Sequence, residues 1–291
     1  MKIRKRMVPY AYIFPIVSIL FVFVGLSLLL GIVYGCTKYN LIAEPRWIGL
    51  ANYKKMLVDK KLYQVLWNTL CMVVLVVCLQ MSASISLALL LAKRRNTRLG
   101  KLAKAAIFIP VLSSNAVVGT VWKAILNGNS PVVDSVFGFF HIDHTMLLGS
   151  SKTALITVVC IFVWKNLGYY VILTLAARLA ISEQYYEAAK MDGANAFCLL
   201  KCMTLPMLKP TILLNTCLSI ASGIQMFDLV YTLTGGGPSM STTTIVMYLY
   251  NLTFKNGKAG YAMAVSNLLF LLIIGIMIMQ HGAMKKEVSE L

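Results

Sequence analysis

The sequence predicts an all-α polytopic membrane protein with six transmembrane helices, and three observations carry that prediction. Of 291 residues, 59% are hydrophobic and 13% charged, against about 45–50% and about 25% in soluble domains. Six apolar windows each reach the roughly 20 residues that a helix rising about 1.5 Å per residue needs to cross about 30 Å of hydrocarbon. No stretch shows the roughly ten-residue alternation of an outer-membrane barrel strand, and backbone amides cannot go unpaired in lipid, which leaves a helical bundle.

The windows are Tyr10 to Gly35, Leu66 to Ala92, Ala105 to Leu126, Thr153 to Ala180, Met207 to Leu233 and Tyr261 to Gln280. Lys2, Arg4, Lys5 and Arg6 precede the first as they would a signal peptide, but its apolar run is about twice a signal h-region in length, so it is expected to remain as a span. Basic residues are retained on the cytoplasmic side during insertion. The cluster Lys93, Arg94, Arg95, Arg98, Lys101 and Lys104, with Lys285 and Lys286 near the end, therefore predicts that both termini are cytoplasmic. The loop after the first span, with Lys38, Arg46, Lys54, Lys55, Lys60 and Lys61, runs against that rule locally. The formal charge of +17 is accounted for by anionic membrane lipid and insertion topology, with no nucleic-acid partner implied. The seven cysteines form no C-x-x-C pair and are expected to be small buried hydrophobes.

Between the fourth and fifth windows, residues 182–206 are too long and too patterned for a flexible connector. Ser182 can cap a short helix through Glu187, Ala188, Ala189 and Lys190, Gly193 lets the chain turn, and a second helix from Ala194 to about Met203 is expected to close at Leu205-Pro206. Two short helices joined by a glycine elbow at a membrane surface make a compact plug for a groove on a partner.

The series Glu187-Ala188-Ala189, Asp192-Gly193, Met203 and Leu205-Pro206 resembles the EAA loop of binding-protein-dependent ABC transporter permeases. The stretch Tyr186 to Ala194 resembles the carbohydrate-uptake branch, the maltose and glycerol-phosphate permease type. So do Trp47 to Tyr53 followed by Asn68-Thr69, Phe227 to Pro238, and Thr243 to Tyr250. Met203 stands in place of the usual Ile, and Arg178 where the family generally has an apolar residue. The resemblance implies one transmembrane domain over 1–291, with an N-terminal span and outer loop at 1–65 and a maltose-permease-like core at 66–281. It implies an inner-membrane subunit of a sugar importer in a prokaryotic cell membrane, coupled to its motor through Glu187, Ala188, Ala189, Asp192, Gly193, Leu205 and Pro206. The implied partners are a second permease, two cytoplasmic ATP-binding subunits and an extracytoplasmic sugar-binding protein. ATP is then used by the partners, with no cofactor and no catalytic residue in this chain.

Charges at membrane depth cost several kcal/mol unless paired or hydrated, so they mark pathways or packing constraints. Lys123 can snorkel from the end of the third window. Lys165 lies about 18 Å into the fourth and Asp228 about 9 Å from the end of the fifth. On a continuous helix Gln225, Asp228 and Tyr231 share one side, with Asn215, Ser219 and Ser222 one to two turns below. With Trp164, Lys165 and Tyr169 these residues offer a sugar both hydrogen-bonding groups and aromatic platforms. The same residues also fit interhelical hydrogen bonding, so transport path and packing both stand. Gly235-Gly236-Gly237-Pro238 reads as a turn, since it lacks the Lys-Ser/Thr ending of a phosphate loop. His141 and His144 around Asp143 read as surface loop rather than a metal site. The alternative function is a self-contained ion-coupled secondary transporter using Asp228, but the two halves show no repeat of the kind such carriers carry.

Overall fold

The computed structural model describes residues 12–127, 138 and 146–288. The basic N-terminal residues and His141, Asp143 and His144 lie outside the described residues. Among the described residues, five helices are long and apolar enough to cross a membrane, and two shorter helices that meet at 99° are so only when taken together. The elements in chain order are α1 (Tyr12–Gly35), the two-residue strands β1 (Thr37–Lys38) and β2 (Arg46–Trp47), α2 (Ala51–Met56), α3 (Lys60–Lys93), α4 (Arg98–Phe108), α5 (Asn115–Asn127), α6 (Ser151–Ala180), α7 (Glu183–Met191), α8 (Ala196–Ile224), α9 (Asp228–Leu233), α10 (Ile245–Tyr250) and α11 (Ala259–Val288). The chain forms two compact units, one built from residues through Lys60 with Tyr248–Ile273, the other from Lys61–Met247 with Ile274 onward.

In the first unit, side-chain amides and one carboxylate finish what the helix ends leave open. The carbonyls of Gly35 and Thr37, just where α1 ends, both accept from the buried Asn52 amide, at 2.8 and 2.9 Å. Asn267 of α11 donates to the Gly31 carbonyl at 3.2 Å and to the Tyr53 hydroxyl at 2.9 Å, drawing α1, α2 and α11 together. β1 and β2 pair antiparallel, Thr37 opposite Trp47. Oδ2 of Asp59 accepts from the hydroxyls of Tyr248 (2.7 Å) and Tyr261 (2.6 Å). Burial, then the hydrogen bond to Asp59 and its charge, holds the Tyr248 phenol well above its ordinary range, so it remains a donor throughout the physiological pH window. Replacing Asp59 by Ala strands both hydroxyls and is expected to cost about 2–4 kcal/mol, while Asp59→Asn keeps an acceptor and loses less. Intrinsic-fluorescence melting of the two variants in detergent checks the order.

In the second unit, α3 contributes Met72 and Val76 and α6 contributes Val158, Val159, Ile161, Phe162 and Val163 to the main buried cluster, which takes in Leu229, Val230 and Leu233 of α9 and Met247. A second cluster joins Ala88 and Leu91 of α3 to Val171 and Leu175 of α6. Asn68 and Thr69 hold the segment that follows α9: the Asn68 amide donates to the Met240 carbonyl at 2.7 Å, and the Thr69 hydroxyl accepts from the Ile245 amide at 3.0 Å. Gly235 and Gly236 turn the chain at φ 62° and 89°, as expected for that glycine run.

Three expectations are corrected. The third window is no straight helix. Its hydropathy runs through, but Pro110 opens a 3-10 turn over Ile109–Leu112, Ser113 is extended, and the Ser114 hydroxyl accepts from the Val117 amide to start α5 afresh. The fifth window is also interrupted, because α8 ends at Ile224 and α9 starts at Asp228. The Met226 carbonyl, released by that break, is taken by the Thr244 hydroxyl at 2.7 Å, so the interruption leaves no orphan there. Finally, none of the seven cysteines is buried; all are free, and Cys78, Cys160 and Cys202 are exposed. The apolar solvent of a membrane helix is lipid, so a small apolar side chain has no need of the protein core.

Candidate functional site

The segment 182–206 folds as an elbow whose parts can each be traced to a residue. Ser182 accepts from the Gln184 amide at 3.4 Å and opens α7. At the far end the amides of Asp192, Gly193 and Ala194 return to the carbonyls of Ala188, Lys190 and Ala189, at 3.1, 3.0 and 3.0 Å. Gly193 closes the turn at φ 84°, in the left-handed region where a side chain is strained. A Cβ there would meet nothing within 4 Å, so glycine is required by the backbone and not by crowding. Asn195 then caps the next helix, accepting from the Cys198 amide at 2.8 Å.

The two arms of the elbow are fastened to each other. Tyr186 is buried with Ile181 and Leu208, against Leu199 and Met203. Its hydroxyl lies 3.1 Å from Thr204 Oγ1, and since the Thr204 proton is committed to the Leu199 carbonyl at 2.9 Å, Tyr186 is the donor. Over the outer face of the same ring sits the Arg178 guanidinium, 3.9 Å from its centroid, which also pairs with Glu183 at 3.4 Å. Sequence reasoning singled out Arg178 only as an oddity; an aromatic eight residues on, across a helix break, was the available signal. Glu187, Ala188, Asp192 and Gly193 are exposed and Ala189 is half-buried, so the polar and small residues of α7 face outward beside Tyr185, Met191 and Phe197, which is 70% exposed.

The second arm differs from expectation. It does not close at Leu205-Pro206 but continues as one 29-residue helix to Ile224. A π-helical stretch over Leu199–Thr204, in which the Leu205 amide reaches back to the Leu200 carbonyl, lets Pro206 enter without a hydrogen-bond donor of its own. The elbow is therefore continuous with a helix of membrane-crossing length, which also carries Pro210 within it.

At the other end of that helix the break over residues 225–227 changes the predicted polar stripe. Gln225, Asp228 and Tyr231 do not lie on one helix, although Asp228 and Tyr231 remain one turn apart on α9, and all three are exposed. Trp164 and Tyr169 of α6 are exposed as well, while Lys165 is half-buried with its ammonium 3.4 Å from Asn166 Oδ1. Asn215 and Ser222 belong to a different set. Asn215 is 1% exposed and donates to Thr174 Oγ1 at 3.0 Å, and Ser222 meets the Tyr170 hydroxyl at 3.2 Å. Gln80 of α3, between the residues that helix gives to the two apolar clusters, is 0% exposed, and both its amide atoms, the Asn215 Oδ1 and the Ser219 hydroxyl have no hydrogen-bond partner among the described residues. Sequence reasoning passed over Gln80, whose signal was an amide at the middle of the Leu66 to Ala92 window.

Residues 84–283 match the family described as binding-protein-dependent transport system inner membrane component. The chain belongs to that family. It is a multi-pass protein of the prokaryotic cell membrane and a permease subunit of an ABC importer. The multiple sugar-binding transport system permease protein MsmF of Streptococcus mutans is 30% identical over 98% of this chain and 99% of its own length. The trehalose/maltose permease MalF of Thermococcus litoralis is 29% identical over 96% and 94%. In structure, a subunit of a bacterial ABC transporter that imports the polysaccharide alginate superposes with a TM-score of 0.83 at 20% identity, covering 98% of this permease and 97% of that chain. A second structure of the alginate transporter, in complex with a pentasaccharide-bound periplasmic protein, gives the same score over 96% and 94%. These two similarities bear on the fold.

Proposed function

We propose that this permease carries a carbohydrate across the cell membrane together with a second permease subunit, that two cytoplasmic ATP-hydrolysing subunits drive it through the elbow at 182–206, and that an extracytoplasmic binding protein delivers the sugar. The observation that carries the proposal is mechanical. Buried Tyr186 and the Tyr186 to Thr204 hydrogen bond lock α7 to α8, and α8 runs without interruption to the break before Asp228. A displacement of α7 is thus delivered along one continuous helix to the place where Gln225, Asp228 and Tyr231 are exposed, whereas a flexible loop would absorb it. Exposed Glu187 and Asp192, with flat Ala188 between them, form the face offered to the motor, and the Gly193 turn fixes its angle. ATP binds and is hydrolysed in the partners; this chain contributes the path and the handle. The multiple-sugar and trehalose/maltose permeases among its relatives support a sugar as cargo, and exposed Gln225, Asp228 and Tyr231 offer amide, carboxylate and aromatic groups suited to hydroxyl recognition.

Assembling the importer with its partners in liposomes tests the proposal. Uptake should require ATP on the elbow side and the binding protein on the other; uptake by this chain alone would favour an ion-coupled carrier. Asp228→Ala should lower sugar uptake by about tenfold, the loss expected of a hydrogen-bonded charged contact, with the yield of assembled complex unchanged. Lost assembly with normal uptake per complex would assign Asp228 to packing instead.

A further inference from the structure

The second unit contains a cleft of about 750 Å³ behind the elbow, bounded by the ends of α3 and α6, by α7 and by the start of α8. Four cations converge on it, Lys93, Arg95, Arg178 and Lys190, above a floor that includes Leu89 and Leu200. The acid on its wall, Glu183, is already engaged by Arg178. No ion pair engages Lys93, Arg95 or Lys190 among the described residues. Like charges gathered in a partly enclosed space repel one another unless an anion joins them. Arg178 is held in place, with a side chain 12% exposed and its guanidinium stacked on Tyr186, and a fixed guanidinium is suited to a phosphate oxygen pair.

The surroundings narrow the class of anion. The cleft opens at the ends of two membrane-length helices, and its lining includes Leu89, Leu199, Leu200 and the exposed Phe197. A free phosphate would use the cations and leave this apolar surface idle, and an acidic protein segment would do the same. A molecule with a phosphodiester head and hydrocarbon tails uses both. We infer that this cleft binds the headgroup of an anionic phospholipid of the cytoplasmic leaflet, and that the lipid ties the end of α3 to the elbow. The inference rests on the proposed cytoplasmic position of the elbow. Lipid binding here would make transmission of force from α7 depend on membrane composition, because Arg178 touches the lipid on one side and the Tyr186 ring on the other.

The test uses the assembled importer in nanodiscs of phosphatidylcholine alone or with about 30% phosphatidylglycerol, the proportion being chosen to span ordinary anionic lipid contents. Native mass spectrometry should find phosphatidylglycerol retained by the wild type and reduced about tenfold or more in the double variant Lys93→Gln/Arg95→Gln, since each surface cation near anionic lipid contributes severalfold to binding. Transport-coupled ATP hydrolysis should rise with phosphatidylglycerol in the wild type and be insensitive to it in the variant. Equal lipid retention in both proteins, or displacement of the lipid by millimolar inorganic phosphate, overturns the inference. So does a variant that keeps its lipid and loses the ATPase subunits, which would assign the cleft to an acidic protein face. The underlying topology is read separately, by labelling exposed Cys202, kept as the sole cysteine, with a membrane-impermeant maleimide in right-side-out and inverted vesicles. Labelling from outside defeats the cytoplasmic placement whatever the lipid result.

Discussion

Replacing Gly193 by Leu is expected to leave the permease inserted and assembled in the membrane while lowering sugar uptake and transport-coupled ATP hydrolysis by about tenfold or more. The turn holds Gly193 at φ 84° in open space, so a side chain meets no atom and the penalty lies in the backbone, about 1–2 kcal/mol for a residue with a Cβ. That is too small to unfold a protein of this size and large enough to move the elbow out of its angle, since about 1.4 kcal/mol is a factor of ten in a conformational equilibrium. Gly193→Ala carries the same backbone strain without the bulk, and Gly193→Asn suits the left-handed region better. Activity should therefore fall in the order Gly, Asn, Ala, Leu. If Ala and Asn are as active as wild type and Leu alone fails, side-chain bulk on the docking face is the cause and the angle is not.

Gly168→Leu should act on the fold itself. A Cβ at this position would meet the Ile107 carbonyl oxygen and approach the Ile107 carbonyl carbon and Phe108 Cα at 3.0 Å, all of them backbone atoms that cannot swing aside. Gly168 thus marks where the end of α4 lies directly against α6. Overpacking a rigid contact costs about 1–3 kcal/mol, and Leu exceeds the single carbon of Ala. The yield of monodisperse protein by fluorescence-detected size exclusion is expected to fall about tenfold for Gly168→Leu and less for Gly168→Ala. Gly275→Ala, where a Cβ meets nothing within 4 Å, serves as the control. Undiminished yield for Gly168→Leu would contradict the close approach of α4 to α6.

What could be seen in the sequence follows from which physical signals are linear in it. Span number is a matter of apolar length, and the elbow is written in local chemistry: Ser182 as cap, Gly193 as turn, Asn195 as second cap. The breaks at Ser113 and at residues 225–227 were hidden because hydropathy is continuous across them. Only Pro110 and Ser114 hinted at the first, and the second depends on Thr244, eighteen residues away, taking the Met226 carbonyl. Pro206 misled in the opposite direction. It was expected to end a helix, and a π-helical turn carried the helix through. The polar residues stand out within apolar windows, but which are buried and which are exposed is decided by neighbours on other helices that no spacing along α8 can reveal. Gln80 shows this most clearly, being fully buried in a helix that reads from sequence as a predominantly apolar span.

The claim on which the account turns is that α7 is the surface gripped by the motor. A photo-crosslinking amino acid placed at position 187, on the exposed face of α7, should in the assembled importer give an adduct with the ATP-hydrolysing subunit, with a yield that changes when nucleotide is added. An adduct formed only with the extracytoplasmic binding protein, or none with the ATPase in a complex that still transports sugar, would contradict it.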